Sequence, residues 1–189
     1  MHGLDFLNGR RSVPAMQLDE PGPDAAQLDA LLAAALRVPD HGKLAPWRLI
    51  LLDGENRRAF GRCLAELGER THPELPEAKR LKDRQRYEHA PLVIVVVARI
   101  DEAHARIPAQ EQLLSAGCVA HNLLLGAHAL GFAAQWLTGW AAYDRNAASL
   151  LGLADDERVI GFVHVGSAMT TTPERERPAL ADKVTRWTA

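Results

Sequence analysis

Residues 113–143 contain no Asp, Glu, Lys or Arg. A run of thirty-one uncharged positions suits a lipid bilayer or a protein interior, and little else. His121, Asn122, His128 and Gln135 interrupt it, Gly131 divides it, and neither a basic cluster nor an aromatic belt flanks it, which argues against a membrane span. The run reads instead as the body of a buried helix over 109–130 followed by a buried strand over 132–138. Both have to be covered by other elements of the chain.

The rest of the chain can supply that cover. Its 189 residues are 47% hydrophobic and 24% charged, the make-up of one folded domain rather than a disordered polymer. Lys plus Arg number 22 against 24 acidic residues, a net charge of −2, so no global field draws the chain to nucleic acid or to an anionic membrane. Neither is expected as a partner. Cys63 and Cys118 are too few and too far apart for a disulfide framework or a CxxC site. Asp5, Arg10 and Arg11 surround only a very short apolar run at the start, unlike a signal peptide. A cytoplasmic location is expected.

Periodicity places the remaining elements. Leu28, Leu31, Leu32, Ala35 and Leu36 share one face of a helix over 24–38, with Asp24 and Gln27 spaced as a capping box and Pro39 blocking extension. Residues 47–53 read as a buried strand, and Phe60, Cys63, Leu64 and Leu67 as the ridge of the next helix. Residues 72–88 are dense in charge, with Leu75, Ala78 and Leu81 as the apolar ridge of an exposed helix or excursion. Residues 92–98, β-branched on both faces, suit the middle of a sheet. A short helix over 145–151 and a last strand over 158–165 complete an α+β domain, and the tail from 169 has little to bury by itself.

Three segments could carry chemistry. Arg10-Arg11-Ser12 joins two guanidiniums to a hydroxyl, which can grip a phosphate, although such a triplet alone is better explained as a solvated basic turn. In Arg37-Val38-Pro39-Asp40-His41-Gly42-Lys43-Leu44-Ala45-Pro46-Trp47, prolines hold a loop from which Arg37, His41 and Lys43 can face an anionic or polar ligand. The same residues also suit a capped helix end, and both readings stand. In Gly131 to Trp140, Trp136 and Thr138 offer an apolar surface and a hydroxyl on one strand face, or else simply pack in the core. No GxGxxG, P-loop or GxSxG motif is present. His121 and His128, two turns apart, read as packed histidines, so no metal is expected.

Taken in order, RRS near residue 10, RVPDHGKLAPW, SAG at 115–117, GF…W-x-T-G at 131–139 and IGFVHVG at 160–166 resemble the nitroreductase family of FMN flavoproteins, particularly its compact members. The resemblance spans residues 4–166, with PDH-x-x-x-x-PW its most specific part. It implies a central mixed sheet flanked by helices, in a homodimer with extended termini and FMN at the subunit interface. Residues 1–189 would form one domain, with 167–189 extending over the partner subunit. It further implies that Arg10, Arg11 and Ser12 contact the flavin phosphate and ribityl end, that Arg37 and His41 lie beside the cofactor, and that Trp136, Leu137 and Thr138 line the flavin. His41 and Lys43 are candidate donors for tuning the flavin, which itself carries the chemistry, so no side-chain nucleophile is expected.

The activity implied is hydride transfer from NAD(P)H through flavin N5 to a nitroaromatic or quinone-type acceptor by a ping-pong mechanism. A specialised FMN dehydrogenase and a non-catalytic dimeric flavin-binding protein are the alternatives. Two positions depart from relatives, which often carry one more arginine soon after RRS and another just after the strand tryptophan. Here those places hold Pro14-Ala15-Met16 and Leu137. The apolar excess of the 109–130 helix calls for a second copy of the chain, with Ala120 expected on the interface face.

Overall fold

The computed structural model describes residues 3–74 and 76–189. Its elements are α1 (Gly3–Gly9), β1 (Leu18–Asp19), α2 (Ala25–Ala35), β2 (Trp47–Asp53), α3 (Gly54–Thr71), α4 (Glu77–His89), β3 (Leu92–Arg99), α5 (Ala109–Ala129), β4 (Ala133–Leu137), α6 (Arg145–Leu150) and β5 (Glu157–Ala168). The sheet runs β1-β5-β3-β2, with β4 also pairing β5. The ladders between these strands are antiparallel. A parallel element enters as an isolated bridge between Ser12 and Ala134, which sets the RRS segment against the edge strand β4.

The order follows from burial. Residues 92–98 of β3 are all buried, as expected of a strand covered on both faces. One face carries Ile94, Val96, Val163 and Val165 against Leu31 and Ala35 of α2 and Val119, Ala120, Leu123 and Ala127 of α5. The other carries Val93, Val95, Val97 and Phe162 against Phe60, Leu64 and Leu67 of α3 and Tyr87 of α4. At the start of α2 the Asp24 side chain accepts from the Gln27 backbone while the Gln27 side chain accepts from the Asp24 backbone, the reciprocal pair that satisfies two otherwise unpaired donors.

Three expectations about the helices need correction. Cys63 is exposed, so the ridge of α3 is Phe60, Leu64 and Leu67 without it. In α4 the expected ridge faces outward, with Ala78 and Leu81 both exposed, and Leu75 lies outside the described residues. The buried face is instead Asp83 and Tyr87. Tyr87 makes edge contacts with Phe60 and Phe162, and those aromatic contacts outweigh the polar average of the helix. Finally, Ala120 is fully buried in this chain's own core. The face of α5 left to solvent holds Leu114, at 60% exposure, and His121, with Cys118 and Leu125 half-buried beside them. The spacing 114, 118, 121, 125 is a single helical stripe. No helix among the described residues is long and apolar enough to cross a membrane.

Candidate functional site

The RRS segment follows α1, whose Phe6 stacks on His128 of α5 at 5.0 Å between ring centres. Backbone pairing then fixes its register: Ser12 bridges Ala134, and the Val13 amide donates to the Ala134 carbonyl at 3.2 Å. Arg10 Nη1 donates to Ser12 Oγ at 3.2 Å. Arg11 donates to the Asn8 carbonyl at 2.6 Å and pairs with Glu174. Beside them opens a cavity of about 490 Å³, whose wall includes Gly9, Arg10, Arg11, His128, Ala134 and Thr171.

This corner is electropositive. Burial, and then the guanidiniums of Arg177, Arg175 and Arg11, hold Arg10 below the usual arginine range, with Glu174 opposing them. Arg10 thus feels three other guanidiniums against one carboxylate, and with Arg10 and Arg11 in the cavity wall that balance favours an anion there. The donor set fits the phosphate of FMN. Arg175 and Arg177 escaped the sequence reading because the 174–177 charges looked like an unsupported tail. Alternating Glu and Arg in a tail with nothing to bury was the available signal.

β4 runs on from this corner, where its Ala133 and Ala134 line the cavity. The Trp136 indole lies over Gly161 and donates to the Ile160 carbonyl at 3.2 Å. Ile160 is the extra residue in β5 where the β3–β5 register shifts, a bulge that frees it from the β3 ladder. Leu137 ends β4. Thr138 does not share the face of Trp136 as expected. Trp136 packs on the α5 side of the sheet, whereas Thr138 lines a crevice with Leu64, Asp83, Arg86 and Tyr87. Gly139, with φ +68, turns the chain there, and only glycine takes that conformation without strain.

The PDH loop lies elsewhere. Ser115 Oγ donates to the Pro39 carbonyl at 2.6 Å, and His41 Nδ1 lies 2.6 Å from Glu111 Oε2. The Asp40 side chain accepts from the Ala45 amide at 2.9 Å, closing a loop in which Gly42, Lys43 and Ala45 all have positive φ. Two such residues with side chains are strained, a feature that concentrates at binding sites. Arg37, His41 and Lys43 are exposed. Asn122 Nδ2 donates to the Arg37 carbonyl at 3.0 Å.

These contacts put residues 39–41 of the loop and the RRS corner at opposite ends of α5, with Arg37 between them at Asn122. His41 meets Glu111 in the first turn, and the RRS corner meets His128 in the last. Seventeen residues of helix separate those positions, about 25 Å at 1.5 Å per residue. Within one chain, RRS and β4 come together, and the PDH loop does not join them.

Antiparallel sheet, two covering helical layers, a cationic corner at an edge strand and a second polar loop across a long helix together define an α+β domain built to hold a phosphate-bearing ligand. The sequence model of the Nitroreductase family matches residues 7–167, and the chain belongs to that family. It is similar to the Haemophilus influenzae protein named "Putative NAD(P)H nitroreductase", 36% identical over 93% of each chain. It is 34% identical to the Escherichia coli K12 protein named "Putative NAD(P)H nitroreductase YdjA", over 88% of each. Among solved structures, a nitroreductase-like family protein from Bacillus cereus shares the fold with a TM-score of 0.81 at 22% identity, over 96% of this chain and 94% of that one. A Bacteroides fragilis nitroreductase with bound FMN does so with a TM-score of 0.72 at 20% identity, over the full length of both.

Proposed function

We propose that this chain is an FMN-dependent NAD(P)H oxidoreductase reducing nitroaromatic or quinone-type acceptors by a ping-pong mechanism, with each flavin site shared between two copies of the chain. The observation that carries the reading is the pair Arg10 and Arg11 in the wall of the cavity beside β4, with the charges of Arg175 and Arg177 acting on Arg10. Bound FMN supplies the redox chemistry, accepting hydride at N5 and passing it to the acceptor. Arg10, Arg11 and Ser12 hold the phosphate and ribityl end, and the end of β4, from Trp136 through Leu137 to Thr138, borders the ring. The names of the Haemophilus influenzae and Escherichia coli relatives support NAD(P)H as the donor.

Arg37, His41 and Lys43 belong to the same site only through a second copy. Two α5 helices packed antiparallel along the stripe of Leu114, Cys118, His121 and Leu125 bring the first turn of one against the last turn of the other. That arrangement sets the PDH loop of one copy beside the RRS corner of its partner. It also gives cover to residues 173–189, which are exposed throughout in the single chain.

The test is spectroscopic. The purified protein should be yellow, absorbing near ~450 nm as bound flavin does, should bleach anaerobically with NAD(P)H and should recover on adding a quinone. Flavin that does not bleach would assign a flavin-binding protein instead, and denatured protein releasing no flavin would remove the cofactor altogether. Arg10→Ala should weaken FMN binding to the apoprotein about 10 to 150-fold, the loss of one charge-assisted contact.

A further inference from the structure

Helix α4 presses a half-buried cation against the turn that ends β4. Arg86 has a side-chain exposure of 20% and lines the crevice shared by Thr138, Gly139 and Trp140. Its Nη1 stands 3.4 Å from where a Cβ on Gly139 would be, so the guanidinium lies beside the turn with no side chain between them. Residues 136–140 carry no charge of their own, and Arg86 brings one to them.

The placement is fixed by a neighbour. Trp140 Nε1 donates to Asp83 Oδ2 at 2.9 Å, which ties α4 to the turn. The other Asp83 oxygen lies 3.5 Å from Arg86 Nη1, beyond a good hydrogen bond. Among the described residues Arg86 makes no closer ion pair. A guanidinium cannot shed its charge, and holding one largely out of water against a carboxylate already engaged elsewhere is costly. Its field reaches inward as well, opposing protonation of His164 and favouring ionisation of Tyr87.

We infer that Arg86 is a tuning residue of the flavin site, a cation that stabilises negative charge on the ring seated against the end of β4. The inference rests on the FMN reading above. It transfers to α4 the role for which His41 and Lys43 were the candidates in sequence. It also gives Asp83 an opposite role, since its carboxylate moderates the same field.

The experiment measures the flavin midpoint potential of the holoprotein, with FMN affinity and apoprotein melting alongside, for Arg86→Gln, Arg86→Lys and Asp83→Asn. Arg86→Gln should weaken reduced FMN relative to oxidised FMN about tenfold, a fall of ~30 mV for a two-electron couple. Arg86→Lys should recover part of that shift. Asp83→Asn, which keeps an oxygen for the Trp140 donor, should raise the potential. Arg86→Gln and Asp83→Asn both melting lower with the potential unmoved would reduce Arg86 to a tether of α4 and overturn the inference. A wild-type chain releasing no flavin would overturn it too, by the separate route of removing the cofactor.

Discussion

The indole of Trp136 lies across the backbone of Gly161, one strand away in β5, with no room between them for a methyl group. A Cβ on Gly161 would stand 2.9 Å from the Leu137 carbonyl and closer still to the indole nitrogen. Glycine at 161 is therefore what lets a tryptophan lie flat beside the residues proposed to line the flavin. Gly161→Ala should cost about 1 to 3 kcal/mol through overpacking, seen as a fall of ~2 to 4 °C in Tm per kcal/mol. Tryptophan fluorescence should shift with it. A variant melting with the wild type would show that the indole has another place to go.

His164 sets the acid limit of the fold. It is fully buried beside Tyr87, 5.4 Å between ring centres, and neither ring nitrogen has a hydrogen-bond partner among the described residues. Burial first, then the charge of Arg86, pushes its pKa from 6.5 to about 3. Between those values the unfolded chain takes up a proton that the folded chain refuses, so stability falls as pH drops from about 6.5 towards 3. Glu157 acts with the same sign at lower pH. The Arg48 hydrogen bond, made at 2.6 Å, holds its pKa at about 2 against an ordinary 4.5, and that contribution is lost as pH falls through this window. Urea unfolding at pH 7 and pH 5 should show a loss in the wild type that is largely absent in His164→Leu. Equal losses would place the acid sensitivity elsewhere.

The stripe on α5 predicts opposite consequences for two neighbouring substitutions. Leu114→Glu, on the exposed face, should leave a folded chain that light scattering finds as a monomer, because two interface copies would bury the charge unpaired. Ala120→Glu puts the charge inside the chain's own core and should yield an unfolded or aggregated product instead. A Leu114→Glu dimer would remove this stripe from the interface.

How far such features can be read in advance depends on whether their causes are local. The strand over 47–53 was expected at its observed limits, because a largely apolar run after Pro46 announces itself, but not with its observed burial, since β2 ends the sheet and only its Leu52 is buried; the Asp24–Gln27 box needs only four residues. Ala120 was misplaced for the converse reason. A helix apolar on nearly all sides carries no mark that separates the face for its own core from the face for a partner. The two-residue β1 and the α1 turn were too short to show a period. Asp83 and Tyr87 were hidden by the charges around them, since their burial depends on Phe60, Phe162 and Trp140, which come from distant parts of the chain. In the site, RRS, the PDH loop and the 136–138 strand were all visible as motifs. Their separation along α5, and the arginines that the tail adds, exist only in three dimensions.

The central claim is that one flavin touches the RRS corner of one chain and the PDH loop of another. Mixing defective chains tests it directly. One chain carries Arg10→Ala, the other Arg37→Ala with His41→Ala, and FMN binding is measured on the pure species and on the isolated mixed dimer. A shared site concentrates both defects in one of the two sites of the mixed dimer and leaves the other whole. The mixed dimer should therefore bind one FMN with wild-type affinity, although neither parent does. If it binds only as weakly as its parents, each site lies within a single chain and the shared-site account is wrong.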